Sequence, residues 1–504
     1  MVKMRRHDAN QFLHVLPAIC ATLFAIFPLT DTDIWWHLAC AREWVTTWTP
    51  VRAPIVNVHE YFQFVVGFVY GLGGAPLLVA FKAVLWGAVF TLFLRRLSVV
   101  CVFLLFIFRY HFEIRPVLFS LLFLGVYWNV LPRLFCHSEP HRGDAIHKLV
   151  AAIVLLSIPW FWCKCQGLYI LGPLFAALLL FTEIWKTHKV GEKYPCKNLA
   201  LQIIFVVALF AMPFLHREGL NLFLYPFGLL DRLLGITPSA VIFASEIAEN
   251  RSPITLLIAG ENVLESALMI VLCVVGICYG AYSTYTSLRR LSRSETIHSR
   301  MVLMVTALLV LIAERNFVLF LPVFSLFSTR LLRNTLFYGL LRRFTPRNDV
   351  VFHLFRLLPL VLFAFLLGFW VRSLFAYDSS MVAYQRVPVD AAKWMKQNPH
   401  QGRLFNDDRA GGYLAFVNPA DSIYIDGRFI LKTSEFFERY LGYAKNPSLF
   451  LAEADSQNID RAVFPLRYYA RWDNLLQTLE KDSRWHLVYR DEYFIVFDKK
   501  GLGL

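Results

Sequence analysis

Charged residues are scarce in this sequence. Asp, Glu, Lys and Arg together make up 17% of its 504 residues, whereas 57% are hydrophobic and 16% are aromatic. Soluble domains carry about 25% charged residues, so the composition excludes an ordinary soluble protein of this length. It indicates a chain that lies mostly within a lipid bilayer.

The motifs of several common enzyme classes are also missing. The chain has no glycine-rich phosphate loop, no H-E-x-x-H and no internal repeat. Its nine cysteines all lie between Cys20 and Cys278, and Cys163 and Cys165 form a lone C-x-C pair. No second pair or nearby histidine completes a zinc site, and no spacing indicates a disulfide framework.

Long apolar runs fill most of residues 1–376. A transmembrane helix needs about 17–25 mainly apolar residues, and the runs predict a polytopic α-helical membrane protein with about 11 spans. The first run is not followed by a small-residue cleavage site, which predicts an uncleaved signal anchor. The predicted spans lie at residues 12–30, 75–94, 97–113, 116–132, 148–162, 167–185, 199–215, 263–287, 300–314, 316–330 and 354–375.

The net charge of +14 lies entirely in this apolar part. Residues 378–504 hold 17 basic and 17 acidic residues, so they are neutral. The strongly basic loops all fall on the N-terminal side of the predicted membrane. By the positive-inside rule we predict an inner (plasma) membrane protein with a cytoplasmic N-terminus. Basic residues in short loops between apolar runs also argue against a nucleic-acid partner.

Two predicted outer loops, 31–74 and 216–262, are long. In the first, apolar residues from Ile34 to Trp48 recur at heptad spacing, which predicts an interfacial helix lying on the membrane. From residue 377 the composition becomes that of a soluble domain. We predict that residues 377–504 form a separate extracytoplasmic α/β domain that carries no catalytic residue. Its predicted helices are 390–397, 434–443 and 472–479, with a strand at 422–425 and a hairpin of 485–490 and 493–498.

Asp31 and Asp33 follow the first apolar run directly. Two carboxylates this close can share a divalent cation such as Mg²⁺ or Mn²⁺, or divide into a base and a metal ligand. At the membrane surface they would meet a substrate with its tail in lipid and its head in water. The alternative is that they are a helix cap and a solvated flank.

Other polar residues at the predicted outer ends of spans are candidates for substrate binding. An arginine there can bind a phosphate bidentately, although snorkelling is an ordinary alternative. A histidine or carboxylate there can face the same cavity, although helix starts and solvated loops also carry such residues. The candidates are His37, His59, Glu60, Arg115, Glu246, Glu249 and Arg315.

Several motifs in order along the chain resemble bacterial membrane proteins related to the C-type (GT-C) glycosyltransferases. The first is D-x-D-x-W-W-H-L at residues 31–38. Two stretches depart from the pattern of such relatives. Residues 162–167 have Lys164 and Gln166 where the relatives often have the Asn and His of W-x-N-x-H-G, and Met212-Pro213 stands where they have Asn-Pro. The other matching motifs are His59-Glu60, Glu113-Ile114-Arg115-Pro116, Arg315-Asn316-Phe317, Gly411-Gly412-Tyr413, Asp426-Gly427-Arg428 and the final hairpin.

The resemblance implies an enzyme that moves a sugar from a polyprenyl-phosphate donor to an extracytoplasmic glycan, lipid or protein acceptor. It places the catalytic acid at Asp31 or Asp33, and Arg115 and Arg315 near the lipid phosphate. One alternative is a lipid-glycan transporter without chemistry, which would bury ionisable residues within its spans; the sequence does not indicate any. The other is a degenerate structural relative, which Lys164 and Gln166 in the departing motif favour.

Overall fold

The computed structural model describes residues 6–53, 55–94, 98–135, 144–190, 196–289, 294–334, 349–467 and 470–500, most of them helical, with a four-stranded sheet near the C-terminus. The longer elements of the N-terminal part are α1 (Arg6–Phe24), α2 (Asp33–Cys40), α3 (Glu60–Phe93), α4 (Val99–Ile107), α5 (Pro116–Phe135), α6 (Asp144–Trp162), α7 (Leu171–Val190), α8 (Cys196–Ala211), α9 (Gly219–Leu234), α10 (Val241–Glu246), α11 (Pro253–Ile258), α12 (Val263–Arg289), α13 (Ser294–Ile312), α14 (Phe317–Asn334) and α15 (Asp349–Leu374). They continue with α16 (Val389–Gln397), β1 (Arg403–Asn406), α17 (Asp408–Val417), α18 (Ser434–Lys445), α19 (Pro447–Ser456), β2 (Ile459–Pro465), α20 (Asp473–Lys481), β3 (Trp485–Arg490) and β4 (Phe494–Lys499).

Within the described residues, five helical segments are long and apolar enough to cross a membrane, or six if the bent pair α9 and α10 forms one span. Shorter apolar helices, including Ile146–Trp162, lie at four more of the predicted spans. The chain is therefore an integral membrane protein, while the count of eleven spans stays a prediction. The span predicted at 97–113 is wrong as a continuous helix, because α4 has nine residues and is about 14 Å long.

Helix α3 is interrupted near its middle. Its 34 residues would be about 50 Å long, more than the roughly 30 Å of a bilayer core. The backbone leaves helical geometry at Gly73 and Gly74, and Gly74 has a φ of +64°, which favours glycine. The part after the break matches the span predicted at 75–94. The part before it corrects the loop predicted at 31–74, since the chain is already helical from Glu60.

The predicted interfacial helix is short and buried. Helix α2 ends at Cys40 instead of continuing to Trp48, and its residues from Ile34 to Ala39 are buried. It packs against α17 of the C-terminal part, with the Trp35 and Tyr413 ring centroids 4.8 Å apart. The prediction that these residues face lipid was therefore wrong, because other helices of the protein cover them.

The C-terminal strands form one mixed sheet in the order β1-β2-β4-β3. Strand β1 runs parallel to β2, while β4 is antiparallel to both β2 and β3. The predicted hairpin is β3 and β4, and the three predicted helices are α16, α18 and α20. The strand predicted at 422–425 is instead extended chain, bridged at Ile423 to Thr47 of the first loop. Strands β1 and β2 were not predicted.

The C-terminal part has two hydrophobic cores. One surrounds Phe405, Tyr440 and Trp472 and also takes in Phe243 of α10. The other is continuous with the core of the helical bundle and includes Leu414 and Val496. The first loop lies along this joint surface, where Trp48 Nε1 donates a hydrogen bond of 2.9 Å to the Leu404 carbonyl. Independent folding of residues 377–504 therefore stays a prediction.

Candidate active site

One arginine joins two carboxylates from separate loops at one end of the helical bundle. Arg115 Nε and Nη2 donate to the two oxygens of Asp31, both at 3.0 Å. Its Nη1 lies 2.8 Å and 2.9 Å from the two oxygens of Glu249. Asp31 follows α1, Arg115 precedes Pro116 at the start of α5, and Glu249 lies in a 3₁₀ turn between α10 and α11. The Asp31 side chain is only 3% exposed.

Asp33 lies beside this pair without sharing its partner. It begins α2, and its backbone N–H donates to Asp31 Oδ1 at 3.3 Å. Burial raises the pKa of Asp33 to about 7, and the neighbouring Asp31 carboxylate adds to the increase while Arg115 opposes it. A carboxyl with a pKa near neutrality can accept a proton at neutral pH and release it again, as a general base must.

The backbone of the C-terminal part closes over Asp33. A Cβ added to Gly427 would lie 1.9 Å from Asp33 Oδ1, so only glycine fits there. The flanking Asp426 and Arg428 pair with each other, and Arg428 Nη2 also donates to the Val45 carbonyl at 3.0 Å. The C-terminal part thus contributes a close-fitting glycine to the site, held by an ion pair.

Two histidines line the same region in their neutral form. The rings of His37 and His59 lie 5.1 Å apart, and His59 Nδ1 is 3.0 Å from the Cys165 carbonyl. Burial lowers the pKa of His59 to about 4, and burial, helped by the nearby Arg428 and Arg115, lowers the pKa of His37 well below its usual value. Neither ring therefore supplies a positive charge near neutral pH.

Arg315 lies on the Glu249 side of the cluster. Its Nη1 donates to Asn250 Oδ1 at 3.0 Å, and Asn250 is buried and donates in turn to the Phe243 carbonyl. Although burial alone raises the pKa of Glu249, the charges of Arg115 and Arg315 lower it to about 2. The structure thus brings Asp31, Asp33, Arg115, Glu249 and Arg315 together, with His37 and His59 beside them.

Two predicted candidates do not join this cluster. Glu60 pairs with Lys164 at 2.9 Å, and Lys164 also pairs with Glu218 at 2.7 Å. Glu246 is exposed at the end of α10, and among the described residues no hydrogen bond joins it to the cluster. A role of these two residues in substrate binding stays a prediction.

The sequence analysis missed a buried ion pair behind the cluster. Lys82 is fully buried in α3, its Nζ lies 4.0 Å from Glu113 Oε2, and it donates to the Phe27 carbonyl at 3.1 Å. Thr30, next to Asp31, donates to the other oxygen of Glu113. This corrects the expectation that no span buries an ionisable residue. Lys82 is the one charged residue in the apolar run 75–94, and this position could have predicted a buried charge there.

The aspartates do not fit a divalent cation as they are arranged. Both oxygens of Asp31 and both of Glu249 face the guanidinium of Arg115, so the position between the two carboxylates already holds a positive charge. In the part of the chain that the structure describes, the residues close enough to form a metal site are His111, Glu265 and Glu314, with ligand atoms within 4.8 Å of one another. His111 Nε2 and Glu265 Oε1 already lie within hydrogen-bond distance of each other, at 2.6 Å.

Comparison with known proteins identifies the fold. No family model matches the sequence, and no curated protein sequence matches it. Among solved structures, the chain is similar to an archaeal oligosaccharyltransferase, AglB from Archaeoglobus fulgidus, in complex with an inhibitory peptide and a dolichol-phosphate. The TM-score is 0.54 at 12% identity, over 92% of this chain and 70% of the other. The likeness supports a GT-C-like membrane fold.

Proposed function

We propose that this chain is a membrane glycosyltransferase that moves a sugar from a polyprenyl-phosphate donor to an extracytoplasmic acceptor. The observation that carries the proposal is the convergence of Asp31, Asp33, Arg115, Glu249 and Arg315 at one end of a GT-C-like helical bundle. Such a set offers a base beside fixed positive charge, which sugar transfer from a phosphate requires. The solved neighbour was itself captured with a dolichol-phosphate and a peptide.

The two aspartates have different roles in this proposal. Asp31 accepts hydrogen bonds from Arg115 through both oxygens, so the guanidinium holds this side chain in place. Asp33 has no such partner, and its raised pKa makes it the better base. We therefore assign the catalytic base to Asp33, and to Asp31 the positioning of Arg115.

The reaction needs one proton transfer and one displacement. The Asp33 carboxylate removes the proton of an acceptor hydroxyl or amide, and the acceptor atom forms a bond to the anomeric carbon. The bond from that carbon to the phosphate oxygen breaks, and its electron pair leaves with the polyprenyl phosphate. Phosphate is a good leaving group, so no general acid is required. Arg315 stabilises its charge, and the configuration at the anomeric carbon inverts.

Lys164 and Gln166, the two residues that depart from the relatives' W-x-N-x-H-G motif, have structural roles. Lys164 is held between Glu60 and Glu218. Gln166 accepts a hydrogen bond of 2.6 Å from the N–H of Gly167 through its side chain. Since neither belongs to the Asp33 cluster, they do not argue for a degenerate protein.

In the transporter alternative, the buried pair of Lys82 and Glu113 would take part in moving the substrate across the membrane. The contacts of this pair favour a structural role, because Glu113 accepts a hydrogen bond from Thr30 and so supports the loop that carries Asp31.

Comparing surface glycans in cells with and without the gene, and in cells with single variants, tests the proposal. Asp33→Asn removes the base and keeps the shape, and loss of a general base lowers rates by about 10²–10⁴-fold. We expect the glycan product to disappear by mass spectrometry while the protein still inserts in the membrane. Asp473→Asn, at an exposed aspartate of α20, is the matched control and should leave the product unchanged. Full product from Asp33→Asn would refute the assignment.

A further inference from the structure

Arg115 uses all three of its guanidinium nitrogens on carboxylates. Nε and Nη2 bind the two oxygens of Asp31, and Nη1 lies within 2.9 Å of both oxygens of Glu249. The two carboxylates come from loops that are more than two hundred residues apart in the chain. The guanidinium is therefore the group that holds these two loops together at the site.

Carboxylates from separate loops that converge on one point repel each other unless a cation lies between them. Oxygen ligands arranged in this way are what Mg²⁺ or Mn²⁺ would bind. A guanidinium meets the same need by other means, because its charge is permanent and its planar N–H donors match carboxylate oxygens in pairs. The geometry around Arg115 is of this second kind.

We propose that Arg115 takes the place of a divalent cation between Asp31 and Glu249, so that sugar transfer at this site requires no metal ion there. This inference rests on the proposed function for its substrate, but the charge arrangement that it describes can be measured separately. Arg115 then acts as a positioning residue, because it fixes the Asp31 loop and the Glu249 loop relative to each other.

The arrangement leaves positive charge available for the donor phosphate. Arg115 and Arg315 together balance Asp31 and Glu249, so the cluster without Asp33 is neutral. Of the five N–H donors of a guanidinium, Arg115 commits those on Nε, Nη2 and Nη1 that face the two carboxylates, which leaves two. Arg315 donates its hydrogen bond to a neutral amide, Asn250, and this contact does not neutralise the charge of the guanidinium. A donor phosphate can therefore bind the Arg315 guanidinium without first displacing a carboxylate from it.

Mn²⁺ binding to the full-length protein in lipid nanodiscs, monitored by electron paramagnetic resonance, tests the inference. We expect the wild-type protein to show no saturable Mn²⁺ site that depends on Asp31. Arg115→Ala should create such a site, because it frees four carboxylate oxygens, and the double variant Asp31→Asn with Arg115→Ala should lose it again. Arg115→Lys is the matched control and should bind no Mn²⁺ there, since its ammonium still supplies a charge.

A second measurement keeps the inference testable if Arg115→Ala does not fold. Sugar transfer by the wild-type protein should be unchanged, within about twofold, by exhaustive chelation with EDTA. Mn²⁺ binding in the wild type that Asp31→Asn abolishes would overturn the inference, and so would EDTA-sensitive transfer restored by Mn²⁺. Glu314→Gln identifies any binding at the separate group of His111, Glu265 and Glu314, which leaves the inference standing.

The outcomes also separate this inference from the proposed function. If no sugar transfer is found with or without metal, the proposed function fails, while the Mn²⁺ titrations still decide what lies between Asp31 and Glu249. If transfer is found but requires Mn²⁺ at an Asp31-dependent site, the function stands and the role of Arg115 is wrong. A folded Arg115→Ala protein that binds no Mn²⁺ would show that the position is not a cation site.

Discussion

Neighbouring aspartates in this chain differ in their partners and therefore in the roles that we propose for them. Asp31 is bound to an arginine, and Asp33 is buried beside Asp31 with no ion pair of its own. The sequence placed both at the site but could not separate them, because Arg115 is 84 positions from Asp31 in the chain. It assigned Arg115 to a lipid phosphate but did not predict the ion pairs that this side chain makes with Asp31 and Glu249. Which charges pair with which depends on how the loops converge, and sequence spacing does not report that.

The pH dependence of transfer should follow Asp33. A general base acts only when ionised, and with a pKa of about 7 the ionised fraction falls to about 1% two pH units lower. We therefore expect kcat/KM to rise about tenfold per pH unit below pH 7 and to level off above it. Glu249, with a pKa of about 2, stays ionised and adds no limb to this profile. A flat profile from pH 5 to about 9 would contradict the role of Asp33.

The same shift has a consequence for stability that can be measured without substrate. Because folding raises the pKa of Asp33, the folded state binds its proton more tightly, so stability falls as pH rises from the unfolded value near 4 through about 7. Asp33→Asn removes this loss. Thermal unfolding in detergent should thus show the variant gaining stability over the wild type at alkaline pH and losing that advantage in acid.

At the scale of elements, the apolar periodicity predicted many of the helices, but it did not predict whether their apolar faces pack against protein or against lipid. Ile34 to Trp48 has the spacing of an interfacial helix, yet helix α2 stops at Cys40. Beyond it, Trp44 lies against Arg428, and Trp48 donates to the backbone of β1. Tryptophan is common both at membrane surfaces and in protein interfaces, so its spacing alone cannot distinguish the two. One set of exposed apolar residues that repeats four apart, Phe64, Phe68 and Leu72, lies on α3 before its break.

The contact between the C-terminal part and α2 predicts a sharp effect at one glycine. Gly427→Ala would place a methyl group 1.9 Å from Asp33 Oδ1, so the loop or the carboxylate must move. We expect transfer to fall by about 10²-fold, since small displacements of reacting groups have effects of this size. Gly442→Ala is the control, because its added Cβ meets only Leu449 at an ordinary 3.7 Å. Equal activity of the two variants would show that this contact does not position Asp33.

At the scale of the whole molecule, the division into an apolar part and a neutral α/β part was predictable from composition. The extent of their shared core was not, because the residues on the joint surface, such as Leu414 and Val496, look like any domain core in sequence. Strands β1 and β2 were missed for a related reason. Strand β1 has only four residues, and both strands are buried along nearly their whole length, so neither shows an alternating pattern.

Membrane topology is a prediction for the whole chain. The basic loops predict a cytoplasmic N-terminus and an extracytoplasmic C-terminus. Reporter fusions after Arg96, Arg293 and Leu504 test this. We expect cytoplasmic activity at the first two and periplasmic activity at the third. An inactive periplasmic reporter at Leu504 would place the site on the other side of the membrane from the proposed acceptor.

The position of Gly427 against Asp33 also has a consequence for the order in which the protein is made. Asp33 is synthesised 394 residues before Gly427. On the proposed topology, the first loop emerges from the membrane long before the segment that closes over it. The nascent protein therefore carries its base on an open, hydrated surface, where a carboxyl has an ordinary pKa. On the proposed function, we expect sugar transfer to begin only when residues 377–504 have been exported and have packed onto α2, so a chain that lacks these residues should be inactive.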